Sequence, residues 1–147
     1  MAIGDFMTQM HRACDRHFAD AETAIAQGDW TVGAAHFARF RGALERHFEA
    51  EETILFPAFE EETGGEMGPT RVMSIEHLHM RDLVLDLAKT LERRDAAAYL
   101  ELSDTLAIML RQHNIKEEQA LYPMMDEALG ERSEALRAEL EDLAVED

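Results

Sequence analysis

Two stretches of this sequence carry the same set of metal-capable side chains. One reads His47-Phe48-Glu49-Ala50-Glu51-Glu52-Thr53-Ile54-Leu55-Phe56-Pro57, the other His113-Asn114-Ile115-Lys116-Glu117-Glu118-Gln119-Ala120-Leu121-Tyr122-Pro123. Both fit H-x-x-x-E-E-x-x-L-(F/Y)-P. Residues four apart on a helix are about one turn apart and share a face. Each copy therefore aims an imidazole and a carboxylate the same way, as two halves of one cation site would.

The copies belong to a longer repeat. His113 follows His47 by 66 residues, as Glu117 follows Glu51, Pro123 follows Pro57 and Gly130 follows Gly64. Upstream, His77 follows His11 by the same offset, Met73 follows Met7, and Leu91 follows Ile25. A helix pair used twice assembles most simply as a pseudo-two-fold bundle. Four of the seven histidines, His11, His47, His77 and His113, pair off under this offset; His17, His36 and His79 do not.

The elements that must position these side chains are helices. Apolar or site residues recur at steps of three and four along residues 4–27 (Met7, His11, Cys14, Phe18, Ala21, Ile25), the seam of a bundle helix. The same pattern predicts helices over about 30–62, 70–93 and 96–128, and a short amphipathic one over about 131–144 before an acidic tail. Gly28-Asp29, the stretch through Met67-Gly68-Pro69-Thr70, and Arg93-Arg94-Asp95 read as the breaks. The expected fold is all-α, a single up-down-up-down four-helix bundle spanning 1–147. His11 and His47 lie about equally far from one turn, and His77 and His113 from the other, so all four rings should meet at one level. Pro57 and Pro123, ten residues beyond their histidines, should each mark a bend away from that level.

A lone core histidine is usually satisfied by a hydrogen bond. Four histidines and two glutamates on bundle seams need more, because an unpaired buried carboxylate costs several kcal/mol and no Lys or Arg shares the seams. A cation neutralises them. Four imidazoles, two carboxylates and no thiolate cluster disfavour a closed structural zinc site. They suit two adjacent ions bridged by carboxylates, with iron or manganese the fitting metals. The Glu-x-x-His of ferritin-like centres occurs once, at Glu76 and His79, without a repeat partner, and reads as accidental.

Composition agrees. The 147 residues are 46% hydrophobic and 31% charged, with a formal net charge of −17. That charge argues against nucleic acid and against anionic membrane surfaces, and no apolar run is long enough to span a bilayer. The first residues lack a basic segment followed by an apolar one, and the single cysteine, Cys14, excludes an intrachain disulfide. A cytoplasmic monomer or homodimer is the expectation.

The order H…HxxxE…H…HxxxE, with both HxxxE units running into LFP or LYP, resembles the hemerythrin-like HHE cation-binding family over about residues 7–130. The resemblance implies a non-haem di-iron site, oxo- or hydroxo-bridged, in a four-helix bundle, with Mn or Zn as possible substitutes. By motif match His11, His47, His77 and His113 would be iron ligands and Glu51 and Glu117 the bridging carboxylates. The function implied is O2 or NO binding or sensing, or iron handling; alternatives are a di-iron oxidase, peroxidase-like or nitric-oxide-reducing enzyme, and iron storage or repair. Two departures stand out. Arg81 follows His77 by four residues where oxygen-carrying members have histidine. Where those members use HxxxxD on the fourth helix, both Glu117 and Glu118 are available, and the repeat of Glu51 selects Glu117. The absent fifth imidazole implies an extra open coordination position, which favours reaction with diatomics or exchangeable iron over stable carriage.

The remaining residues take plainer readings. Arg81 pairs with an acid at the seam's edge. Cys14 is a buried small hydrophobe. Glu52 and Glu118 either hydrogen-bond the ligand histidines or face water. His17 borders the seam without joining the centre. Tyr122 stands at the position equivalent to Phe56, which argues against a catalytic tyrosine.

Overall fold

The computed structural model describes residues 1–65 and 68–144; Met67 and the last three residues of the acidic tail lie outside them. Five helices make up the described chain. Helix α1 is Ile3–Ala26. Helix α2 runs in three pieces, Trp30–Ala50, a π-helical turn Glu51–Leu55, and Phe56–Thr63. Helix α3 is Pro69–Glu92. Helix α4 repeats the plan of α2 as Ala96–Lys116, a π-helical turn Glu117–Leu121, and Tyr122–Ala128. Helix α5, Ser133–Ala144, follows a single 3-10 turn at Gly130–Arg132. This is the all-α bundle that the seam pattern predicts.

The two hairpin turns are built alike. Asp29 accepts a hydrogen bond from the Val32 backbone N–H, and Asp95, 66 residues on, accepts one from Ala98. These are N-caps that satisfy one orphan donor of the following helix. The residue before each cap takes a left-handed backbone conformation, Gly28 at φ 77° and Arg94 at φ 52°. Glycine adopts that conformation freely, whereas arginine does so against its Cβ.

The prolines act nearer the site than their spacing suggests. A proline cannot donate to the carbonyl four residues back and crowds it. The helix widens by one residue before each, so that Phe56 N–H reaches Glu51 O and Tyr122 N–H reaches Glu117 O. The distortion therefore begins at the glutamates, one turn from the histidines, and not at a level remote from them. π-Turns of this kind are common where a helix must re-aim side chains at a functional site.

Two apolar clusters enclose the middle of the bundle. Phe18, Phe37, Phe40, Leu87, Tyr99 and Leu106 fill the end with the hairpin turns. Ile3, Met7, Phe59, Leu121, Leu136 and Leu140 fill the other, where α5 packs across α1 and α2. The buried polar residues His11, His47, Glu51, His77, His113 and Glu117 lie between these clusters, each at most 2% exposed. No helix among the described residues is long and apolar enough to cross a membrane.

Candidate metal centre

All four repeat-paired histidines meet, one from each long helix. His11 and His47 approach to 3.0 Å between their Nε2 atoms, and the rings of His77 and His113 lie 4.9 Å apart between centroids. The two glutamates come from the π-turns. His77 Nε2 is 3.0 Å from Glu51 Oε1, and His113 Nε2 is 3.3 Å from Glu117 Oε1. His11 Nε2 and His47 Nε2 stand 2.9 and 3.6 Å from the same Glu117 oxygen. Two groups of potential donors result, Glu51, His77, His113 and Glu117 in one, and His11, His47 and Glu117 in the other.

What fixes the rings is a set of carboxylates behind them. His77 donates through Nδ1 to Glu52 at 2.6 Å and His11 through Nδ1 to Glu118 at 2.7 Å. The repeat relates these two contacts, and each crosses from one helix pair to the other. His113 donates through Nδ1 to Glu76 at 2.8 Å. A hydrogen on Nδ1 makes Nε2 of a neutral imidazole a lone-pair acceptor. In their neutral form these three imidazoles therefore turn lone pairs toward the centre, as metal-ligating histidines do.

The centre is short of hydrogen-bond donors. Glu51 Oε1, Glu117 Oε2, His77 Nε2 and His113 Nε2 are buried without a hydrogen-bond partner among the described residues, as is His47 Nδ1 on the outer side of its ring. Tyr122 contributes one hydroxyl, which donates to Glu51 Oε2 at 2.8 Å and lies 3.0 Å from Glu117 Oε1. One hydrogen cannot satisfy so many acceptors, and each buried polar atom left without a partner costs about 1–3 kcal/mol. Positive charge in the centre meets the inward-facing ones together, all but His47 Nδ1. The donor chemistry thus fits a metal-binding centre.

The electrostatics follow from the same crowding. Burial, then the facing Glu117, pushes the Glu51 carboxyl well above its usual range. Burial acts on Glu117 too, but hydrogen bonding with Glu51 and the surrounding imidazoles outweighs it and holds Glu117 well below. The two facing carboxyls are thereby pushed in opposite directions. Burial, followed by the neighbouring His11, lowers His47 to about 4, so its ring is neutral and ready to ligate at neutral pH. Burial also lifts the Tyr122 phenol well above its ordinary value, with Glu51 and Glu117 adding to the effect.

The other candidate residues fall outside the centre. Arg81 donates to Glu45 and Glu52 and stacks over Phe48, its guanidinium carbon 5.1 Å from the ring centroid. It supports Glu52 from outside and does not reach the middle. Cys14 is buried, and burial raises its thiol to about 12, which leaves it inert. His17 lines a surface groove with Arg39, Gly42 and Arg46. A second groove, between α1 and α4, is lined by Arg12, Phe18, Leu110 and Arg111 and reaches Glu118.

Sequence reasoning passed over two residues. Glu76 lacks a repeat partner, since position 10 is Met, yet it orients His113. Tyr122 was discounted through its equivalence with Phe56, yet its hydroxyl sits among the ligand atoms. The signal for both was the 66-residue offset itself, read for its exceptions.

The model of one protein family, described as the Hemerythrin HHE cation binding domain, matches residues 2–144. No curated protein and no solved structure matches the chain.

Proposed function

This chain belongs to the hemerythrin HHE cation-binding domain family, and from that premise we propose that it holds two iron ions and uses them to bind or sense O2 or NO. His77 and His113 would ligate one ion, His11 and His47 the other, with Glu51 and Glu117 shared between them. When bound, the ions would supply an exchangeable coordination position and one-electron redox chemistry for a small diatomic ligand. The observation that carries this reading is the inward set of lone pairs, left without donors and oriented from behind by Glu52, Glu118 and Glu76.

The protein's own groups would do the rest. The three outer carboxylates fix the ring orientations before any ion arrives, which lowers the cost of assembling the site. The apolar clusters on either side keep water from the centre, where a lower dielectric strengthens every charge interaction. A cation held between Glu51 and Glu117 would favour the charged form of both carboxylates. Arg81, engaged with Glu45 and Glu52, supplies no ligand where oxygen carriers have a fifth imidazole, and this supports exchange over tight carriage. The groove between α1 and α4 reaches Glu118, the carboxylate that holds the outer nitrogen of His11.

The test is anaerobic loading with ferrous iron, metal analysis, and optical spectroscopy on exposure to O2 and, separately, NO. Two ions per chain and a spectrum that changes reversibly with the gas are expected. Less than one ion per chain would overturn the proposal. Irreversible oxidation with turnover would replace ligand binding by catalysis.

A further inference from the structure

The His11 side of the centre offers three donors where the His113 side offers four. The difference lies in the ligating side chains, and one more atom stands beside the three. Tyr122 Oη is 3.2 Å from His11 Nε2, 3.4 Å from His47 Nε2 and 3.0 Å from Glu117 Oε1. The remaining separations among these atoms are 3.0 Å (His11 to His47), 2.9 Å (His11 to Glu117) and 3.6 Å (His47 to Glu117). The four atoms are thus the corners of a nearly regular tetrahedron. For nitrogen and oxygen ligands held at about 2.0–2.1 Å from a metal, a tetrahedral shell has edges of about 3.3–3.4 Å. The observed edges bracket that value.

We propose that the Tyr122 phenolate is a further protein ligand of the ion held by His11, His47 and Glu117. This rests on the metal-centre reading above and adds a ligand to it. Coordination replaces the phenolic O–H bond by an oxygen–metal bond. The proton leaves to solvent, no electron is transferred, and a bound cation supplies the charge that makes this favourable.

The fold prepares Tyr122 for the role. Its ring is 1% exposed and lies against His11, with centroids 5.6 Å apart at 25°. The chain presses α1 close to it at Gly4, whose backbone N–H donates to Asp126. A Cβ on Gly4 would come within 3.1 Å of Tyr122 Cβ and 2.7 Å of Asp126 Oδ2. The repeat-equivalent Phe56 stacks on His77 at 6.0 Å and has no oxygen to give. The phenolate therefore marks one ion and not the other, so the two positions differ in charge and colour.

The experiment loads the full-length protein with iron, oxidises it to the ferric state and records resonance Raman spectra with visible excitation, beside metal analysis. Tyrosinate ring modes and a phenolate-to-iron absorption band are expected, both absent from Tyr122→Phe. That variant should bind one of its ions about tenfold or more weakly and keep the other. The chain has two tyrosines, and Tyr99 lies in the distant cluster with Phe37. Tyr99→Phe should therefore keep the modes, which assigns them to Tyr122 even if Tyr122→Phe does not fold. Two bound ions without tyrosinate modes, or modes that survive in Tyr122→Phe, would overturn this inference and leave the metal centre standing. A wild-type chain that binds no iron would overturn both.

Discussion

Glu76 holds the outer nitrogen of His113 at 2.8 Å, while Lys116 closes on the same carboxylate at 2.5 Å. The other half of the bundle has Met10 and Ala50 at the equivalent positions, and His47 Nδ1 has no partner among the described residues. Three of the four imidazoles are thus anchored and one is not. Losing a carboxylate behind a ligating histidine typically costs 10–100-fold in metal affinity. Glu76→Met should weaken one ion by about that factor in competition with a chromogenic chelator. An unchanged titration would mean that Glu76 serves only its surface ion pair with Lys116.

His11 and His17 differ by less than two turns of α1 but lie in different places, one in the centre and one on a groove facing solvent. His11→Ala should reduce iron content from about two ions toward one per chain, because His17, the other imidazole of the first helix, faces a surface groove instead of the centre. His17→Ala should leave it unchanged. Metal analysis of the two purified variants decides, and the reverse order would show that the 66-residue register misassigns the first helix.

The register brought out the four histidines because imidazoles on a seam are rare and here recur in pairs. The helix bounds were legible for a similar reason, since caps at Asp29 and Asp95 punctuate a steady three-four pattern. Other features were hidden by that same regularity. On an ideal helix Glu51 and Glu52 point about 100° apart, and periodicity alone left open whether Glu52 faces water. The π-turn before Pro57 carries Glu51 to the centre while Glu52 reaches His77. Reading the repeat as a symmetry also averaged away its exceptions, and Glu76 and Tyr122 make the two halves differ.

Arg94 sits at φ 52° where the first hairpin has Gly28 at φ 77°. A non-glycine residue in that region costs about 1–2 kcal/mol, and the greater freedom of glycine in the unfolded chain offsets roughly half of it. Arg94→Gly should therefore raise stability by about 0.5–1 kcal/mol, read as a shift of the urea midpoint at unchanged slope. No gain would show that the arginine side chain contributes as much as its backbone costs.

Acidification should weaken the metal-free protein in a defined window. His47 titrates near 4 in the fold because it is buried beside His11, against an ordinary value near 6.5. Between these values the unfolded chain binds a proton that the folded chain refuses, so stability falls as pH drops from about 6.5 to about 4. For a fully buried ring the loss is on the order of 3 kcal/mol. His77, lowered chiefly by burial, acts in the same direction. Glu52 extends the decline. Burial raises it, but hydrogen bonds from His77 and Arg81 prevail and bring it to about 2, so its contribution is present above its unfolded value and lost as pH falls toward that figure. His113 opposes the trend at the alkaline end. Burial lowers it, but Glu117 and Glu76 raise it overall, so its contribution is full below its unfolded value and fades as pH rises through its folded one. Ions bound to the native state add stability at neutral pH, and protons compete with them for the same imidazoles. Urea unfolding of loaded and metal-free protein between pH 7 and 4 should therefore give two curves that converge on acidification. Parallel curves would mean that the ions bind elsewhere than to these histidines.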